Sequence, residues 1–165
     1  KGIDHGEIFD HHFVEFKYPS GAIVSSQCRH QPGTKYDVSE AFQGTKANVF
    51  TSGDYCKIID HNGNDVFKHD PSNDKSPYQI EHDRLFESIR SGGVINNAEY
   101  GAKSTLTAIM GRMATYTGKE ITWEQALNSQ QVLVPNDLSW NSNPPTLPDS
   151  NGRYTIPKPG ETKVI

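Results

Sequence analysis

Residues 55–93, YCKIIDHNGNDVFKHDPSNDKSPYQIEHDRLFESIRSGG, are where the chain turns from strands to helices. Residues 55–59 and 65–68 are short apolar runs around Asp60-His61-Asn62-Gly63-Asn64, and Asn-Gly supplies the positive φ of a tight hairpin. Residues 69–76 are a polar loop. Ser76-Pro77-Tyr78-Gln79 then opens a helix: Ser76 is placed to cap, Pro77 suits the first helical position and Gln79 completes a capping box. The helix carries Ile80, Leu85, Phe86 and Ile89 and stops at Gly92-Gly93.

Upstream the pattern is all strand. Residues 7–18 and 22–29 flank Pro19-Ser20-Gly21 as a hairpin, and 38–43 and 47–51 flank Gly44-Thr45-Lys46. Six short strands on hairpin connections predict a meander. Downstream, Asn97 caps a second helix over 98–117. Its stripe is Ala102, Leu106, Ile109, Met110, Met113 and Tyr116, and Gly118 closes it. Thr122-Trp123-Glu124-Gln125 is a further capping box, opening a short helix to about Asn128. Strands first and helices after predict an α+β fold with an open antiparallel sheet and helices on one face. Six of the ten prolines fall within 135–159, which excludes a regular helix or a central strand there. Leu138, Trp140, Leu147, Tyr154 and Ile156 are anchors that favour an extended arm laid over the domain.

The chain has 165 residues, one ordinary domain's worth, with 16 basic and 20 acidic side chains, a net charge of −4. That balance offers no electrostatic footprint for nucleic acid or an anionic membrane, and no apolar run is long enough for a membrane-spanning helix. An apolar fraction of 33% and a mean hydropathy of −0.70 are lean for a self-sufficient globule. Two cysteines, Cys28 and Cys56, exclude a disulfide-dense scaffold and a four-cysteine zinc site, and read as small buried thiols. The opening Lys1-Gly2-Ile3-Asp4 has neither Met nor a signal segment and reads as processed or truncated, so the compartment, cytoplasm or periplasm, stays open.

No G-x-G-x-x-G, P-loop, G-x-S-x-G or H-E-x-x-H occurs. His5, His11 and His12 stand among Asp4, Glu7, Asp10 and Glu15, all ligand types for a divalent metal. A strand's period of two sends His11 and His12 to opposite faces, so no metal site is expected. Arg29-His30 ends the second strand. A guanidinium and an imidazole there suit a hydroxylated or anionic substrate, and equally a solvated strand end. Glu81-His82-Asp83 lies near the start of the first helix, where acidic residues complement the helix dipole.

Residues 78–129 resemble the C-terminal domain of the Gfo/Idh/MocA oxidoreductases, the glucose–fructose oxidoreductase and inositol dehydrogenase family, in its bacterial branch. The resemblance rests on Glu81-His82-Asp83, on 97–101 (NAEYG), 111–116 (GRMATY) and 122–127 (TWEQAL), and in the first hairpin on Phe9-Asp10-His11, Tyr18-Pro19-Ser20-Gly21 and Cys28-Arg29. The tail from Pro144-Pro145 through 159–164 fits as well. The resemblance implies that residues 1–134 are the later part of the family's α+β C-terminal domain, with strands within 7–68, helices within 77–128 and 135–165 as its proline-rich arm. The family's N-terminal Rossmann domain, which binds NAD or NADP, is absent from this chain, as are the Glu-Lys-Pro segment of its catalytic lysine and its catalytic histidine.

The resemblance further implies a substrate-binding and oligomerisation domain of an NAD(P)-dependent oxidoreductase acting on a sugar, cyclitol or related polyol. The chain alone is expected to be inert, to bind no cofactor and to contribute no catalytic residue. Its substrate-binding candidates are Arg29, at the family's Cys-Arg position, His30, where relatives often have glutamine, and His82 of the Glu-His-Asp stretch; Asp10 and His11 match a stretch that is readily structural. Expected partners are a sugar-like small molecule, the missing Rossmann domain and further copies of the chain packed through the sheet face, with no nucleic acid and no membrane. An NAD-dependent glycosidase of the α-N-acetylgalactosaminidase type, or a stand-alone binding or assembly module, are the alternative readings.

Overall fold

A computed structural model describes residues 2, 6–53 and 55–164. Six strands precede three helices: β1 (His11–Lys17), β2 (Ile23–Arg29), β3 (Glu40–Gln43), β4 (Ala47–Ser52), β5 (Tyr55–Asp60), β6 (Asp65–Lys68), α1 (Pro77–Ser91), α2 (Ala98–Thr117) and α3 (Trp123–Leu127). The fold is α+β with antiparallel pairing throughout. The strands form two sheets, a two-stranded hairpin β1-β2 and a four-stranded sheet in the order β3-β4-β5-β6. Past β2, His30 N still donates to Asp10 O at 2.7 Å, and Pro32, two residues on, cannot donate to a ladder.

The chain divides into two compact units. The first spans Lys1–Pro32 and Asn97–Ile165, the second Gly33–Asn96. In the first unit, β1 alternates between exposed and half-buried side chains. Val14 and Phe16 lie over Gly111 of α2, where a Cβ would sit 3.3 Å from Phe16 Cζ and 3.5 Å from Val14 Cγ2. The missing side chain lets α2 approach the hairpin this closely. Met113 is 2% exposed and packs with Ile121, Ala126 and Val164, flanked by Leu106, Ile109, Met110 and Ala114. The buried Thr117 hydroxyl donates to Met113 O at 2.7 Å, so its burial leaves no orphaned donor.

Helix ends follow local chemistry. Gly118 closes α2 in the left-handed region at φ 67°, and a Cβ there would come within 2.9 Å of Pro159 Cβ. Gly160 N donates to Thr117 O at 2.7 Å and Ser129 Oγ to Val164 O at 2.9 Å, so the last residues lie against the end of α2 and the segment after α3. The Thr122 capping box is complete: Gln125 N donates to Thr122 Oγ1 at 3.2 Å and Thr122 N to Gln125 Oε1 at 2.9 Å. Ser76 and Asn97 make no side-chain cap. The box expected at Ser76 does not close because Gln79 Nε2 donates to Asp83 Oδ1 at 2.8 Å, one turn along α1. Cys28 and Cys56 are both free. Cys28 is exposed rather than buried, since every residue of β2 faces solvent, and Cys56 is half-buried. No described helix is long and apolar enough to cross a membrane.

Candidate binding site at the open end of the first hairpin

Antiparallel register sets His11 directly opposite Arg29, and His12 opposite Cys28. Directly opposed residues share a face, so the open end of the hairpin presents two distinct surfaces. The chain beyond β2 is held there by His30 N, which donates to Asp10 O at 2.7 Å. Asp10, His11, Arg29, His30 and Gln31 therefore gather at one end of one hairpin.

On the outer surface, His11 Nδ1 donates to Asp10 Oδ1 at 2.6 Å. That bond, with a further one from Gln31, holds the Asp10 carboxyl at about 2, well below the usual carboxylate range. Asp10 is thus an anion under all ordinary conditions and orients the imidazole beside Arg29.

On the inner surface, His12 Nδ1 meets Thr115 Oγ1 of α2 at 2.8 Å. The Thr115 hydroxyl already donates to Arg112 O at 3.0 Å, so it accepts from His12. This network assigns the proton of neutral His12 to Nδ1 and leaves Nε2 as the acceptor. Phe9 and Tyr116 pack against the ring, their centroids 4.7 Å from each other and 6.0 and 6.2 Å from that of His12. The Arg112 guanidinium lies 5.7 Å from the Tyr116 ring centre, and its Nη2 donates to Gln131 Oε1 at 3.4 Å. The hairpin end therefore rests on an aromatic layer tied to α2.

Of the residues expected from sequence to bind substrate, Arg29 and His30 stand together here, both exposed. His82 belongs to the second unit, on α1, where its Nδ1 donates to Tyr78 O one turn back at 2.7 Å. This bond commits one imidazole nitrogen to the helix backbone and leaves Nε2 for solvent. The inner layer of Phe9, His12, Arg112, Thr115 and Tyr116 is not among the residues expected from sequence. Alternation along β1 puts His12 on the face of Val14 and Phe16, which is the one signal the sequence offers, but its partner Thr115 lies 103 residues away.

Chemically, the hairpin end as a whole offers a planar five-donor guanidinium, two imidazoles, a carboxylate and an amide, with His11 and Arg29 opposed in one pair and Asp10 and His30 in the next. That set suits a neutral ligand with several hydroxyl groups, because it combines donors with acceptors. Among the described residues no group of three or more His, Cys, Asp or Glu is placed to hold a metal ion. Two open depressions lie elsewhere. One, of about 530 Å³, lies between Arg84, Ser88 and Val94 at the end of α1. The other, of about 650 Å³, is bounded by Val132 and Val134 ahead of the arm and by Pro144 within it. No family model, curated protein or solved structure matches the chain.

Proposed function

We propose that this chain is the substrate-binding and assembly part of an NAD(P)-dependent oxidoreductase acting on a sugar, cyclitol or related polyol. The observation that carries the reading is the grouping of Asp10, His11, Arg29, His30 and Gln31 at the hairpin end, a donor-and-acceptor set suited to hydroxyl groups. The stretches that resemble the Gfo/Idh/MocA C-terminal domain support it from sequence.

In this reading Arg29 and His30 bind ligand hydroxyls, Asp10 holds His11 in place, and the Phe9–His12–Tyr116 layer keeps the hairpin end rigid. His82 keeps a helix-stabilising role unless ligand reaches its Nε2. The sequence has no Gly-rich strand-to-helix turn to take a dinucleotide pyrophosphate, so NAD or NADP belongs to a Rossmann domain outside this chain. Hydride transfer and the proton-accepting base likewise lie outside this segment. The four-stranded sheet is the open sheet of the domain, copies of the chain associate through its face, and 135–165 is the docked arm.

Saturation-transfer NMR against a panel of monosaccharides and cyclitols tests the reading. Weak binding of at least one polyol, lost in Arg29→Ala and weakened in His30→Ala, is expected, with no NADH or NADPH formed by the chain alone. Binding of no member of the panel, binding that Arg29→Ala leaves unchanged, or turnover by the isolated chain contradicts it.

A further inference from the structure

Two turns of the molecule have the same build. Asp60-His61-Asn62-Gly63-Asn64 joins β5 to β6, and Asp149-Ser150-Asn151-Gly152-Arg153 lies in the arm. In each, the leading Asp Oδ1 accepts from the backbone N–H two residues on and four residues on: 2.9 and 2.8 Å in the first turn, 2.8 and 2.9 Å in the second. In each, the Asp N–H donates to the carbonyl four residues on, at 2.9 and 2.8 Å, and the Gly N–H donates back to the Asp carbonyl, at 3.1 and 2.9 Å. Both glycines have positive φ, 88° for Gly63 and 75° for Gly152. Each turn exposes an Asn-Gly pair to water.

Asn-Gly is the dipeptide most prone to deamidation, because glycine's amide nitrogen meets no side-chain obstruction as it approaches the asparagine side chain. We propose that Asn151 is a site of spontaneous deamidation and that Asn62, in the twin turn, is shielded from it. In the reaction Gly152 N attacks Asn151 Cγ. The new C–N bond closes a succinimide, the Cγ–Nδ2 bond breaks and ammonia leaves with the amide proton. Water then opens the ring at either carbonyl, leaving an aspartyl or an isoaspartyl linkage at position 151.

The attacking nitrogen is held in both turns, by Asp149 O and by Asp60 O, so both react more slowly than an unstructured peptide. What separates them is everything else. In the first turn Asn64 Nδ2 also donates to Asp60 Oδ2 at 2.9 Å, tying both carboxylate oxygens to the turn. Strand pairing continues on both sides, with Ile59 opposite Asp65 and Ile58 opposite Phe67. Closing a succinimide at Asn62 requires those bonds to open together. The Asn151 side chain has no partner among the described residues, and the residues around its turn belong to no strand or helix. An isoaspartyl linkage adds a backbone atom between 151 and 152, which the paired bonds between Asp149 and Arg153 cannot span unchanged.

The test is peptide mapping by mass spectrometry of the full chain, aged at mildly alkaline pH beside a synthetic peptide covering 147–155. The expected order of rates is peptide, then Asn151, then Asn62, with a several-fold gap between the two protein sites. Asp149→Ala, which releases the second turn, brings Asn151 up to the peptide's rate and leaves Asn62 as it was. Conversion of Asn62 as fast as Asn151, or an Asn151 that stays intact in wild type and in Asp149→Ala while the peptide converts, overturns the proposal.

Discussion

Asp10 shows how much one neighbour decides. It is exposed enough for water to solvate it, yet the imidazole of His11 holds its proton affinity far below the ordinary carboxylate value of 3.8. A carboxyl whose folded value is depressed stabilises the fold above its unfolded value and loses that contribution as pH falls through the folded one. The contribution of Asp10 is therefore complete above about pH 4 and lost towards about pH 2. An NMR titration of the Asp10 carboxyl carbon is expected to show a midpoint near 2 in wild type, moving towards 3.8 in His11→Ala. An ordinary midpoint in wild type excludes the bond. Arg29 beside His30 was legible from sequence, as adjacent residues at a strand end must be. His12 on Thr115 was not, because alternation along a strand names the face a residue takes and not the helix that covers it.

Among the elements, the legible features are those whose cause is local. Hairpins show in Asn62-Gly63, helix stops in Gly92 and Gly118, and the start of α3 in Thr122 with Gln125 three residues on. Where a side chain has two local options, sequence does not choose between them: Gln79 had both Ser76 and Asp83 within reach and took Asp83. The Thr122 box matters beyond α3, since Ile121 and Ala126 on either side of it belong to the core. Thr122→Ala is expected to cost about 1 kcal/mol in denaturant unfolding, and Thr122→Ser to restore most of it. Equal stability of wild type and Thr122→Ala contradicts a working cap. The pairing of six strands as two sheets was not legible, because hairpin signals report on neighbours and say nothing of which hairpins join.

For the molecule as a whole, the informative property is the shortage of apolar burial. In the four-stranded sheet, Phe42, Val66 and Phe67 are 57%, 62% and 47% exposed, and α1 has no buried residue. A lean composition explains part of this, and association through the sheet face accounts for the rest under the proposed function. Light scattering on the purified chain is expected to give a dimer or a larger assembly, dissociated by Phe42→Glu together with Phe67→Glu, which the register places on one face. A well-folded monomer at every concentration contradicts sheet-face packing.

The decisive experiment is an amide chemical-shift map of the labelled chain titrated with the polyol it binds best. Binding at the hairpin end predicts shifts concentrated at residues 10–12 and 29–31, absent in Arg29→Ala. Shifts confined to α1 or to the arm, with residues 29–31 unmoved, contradict it.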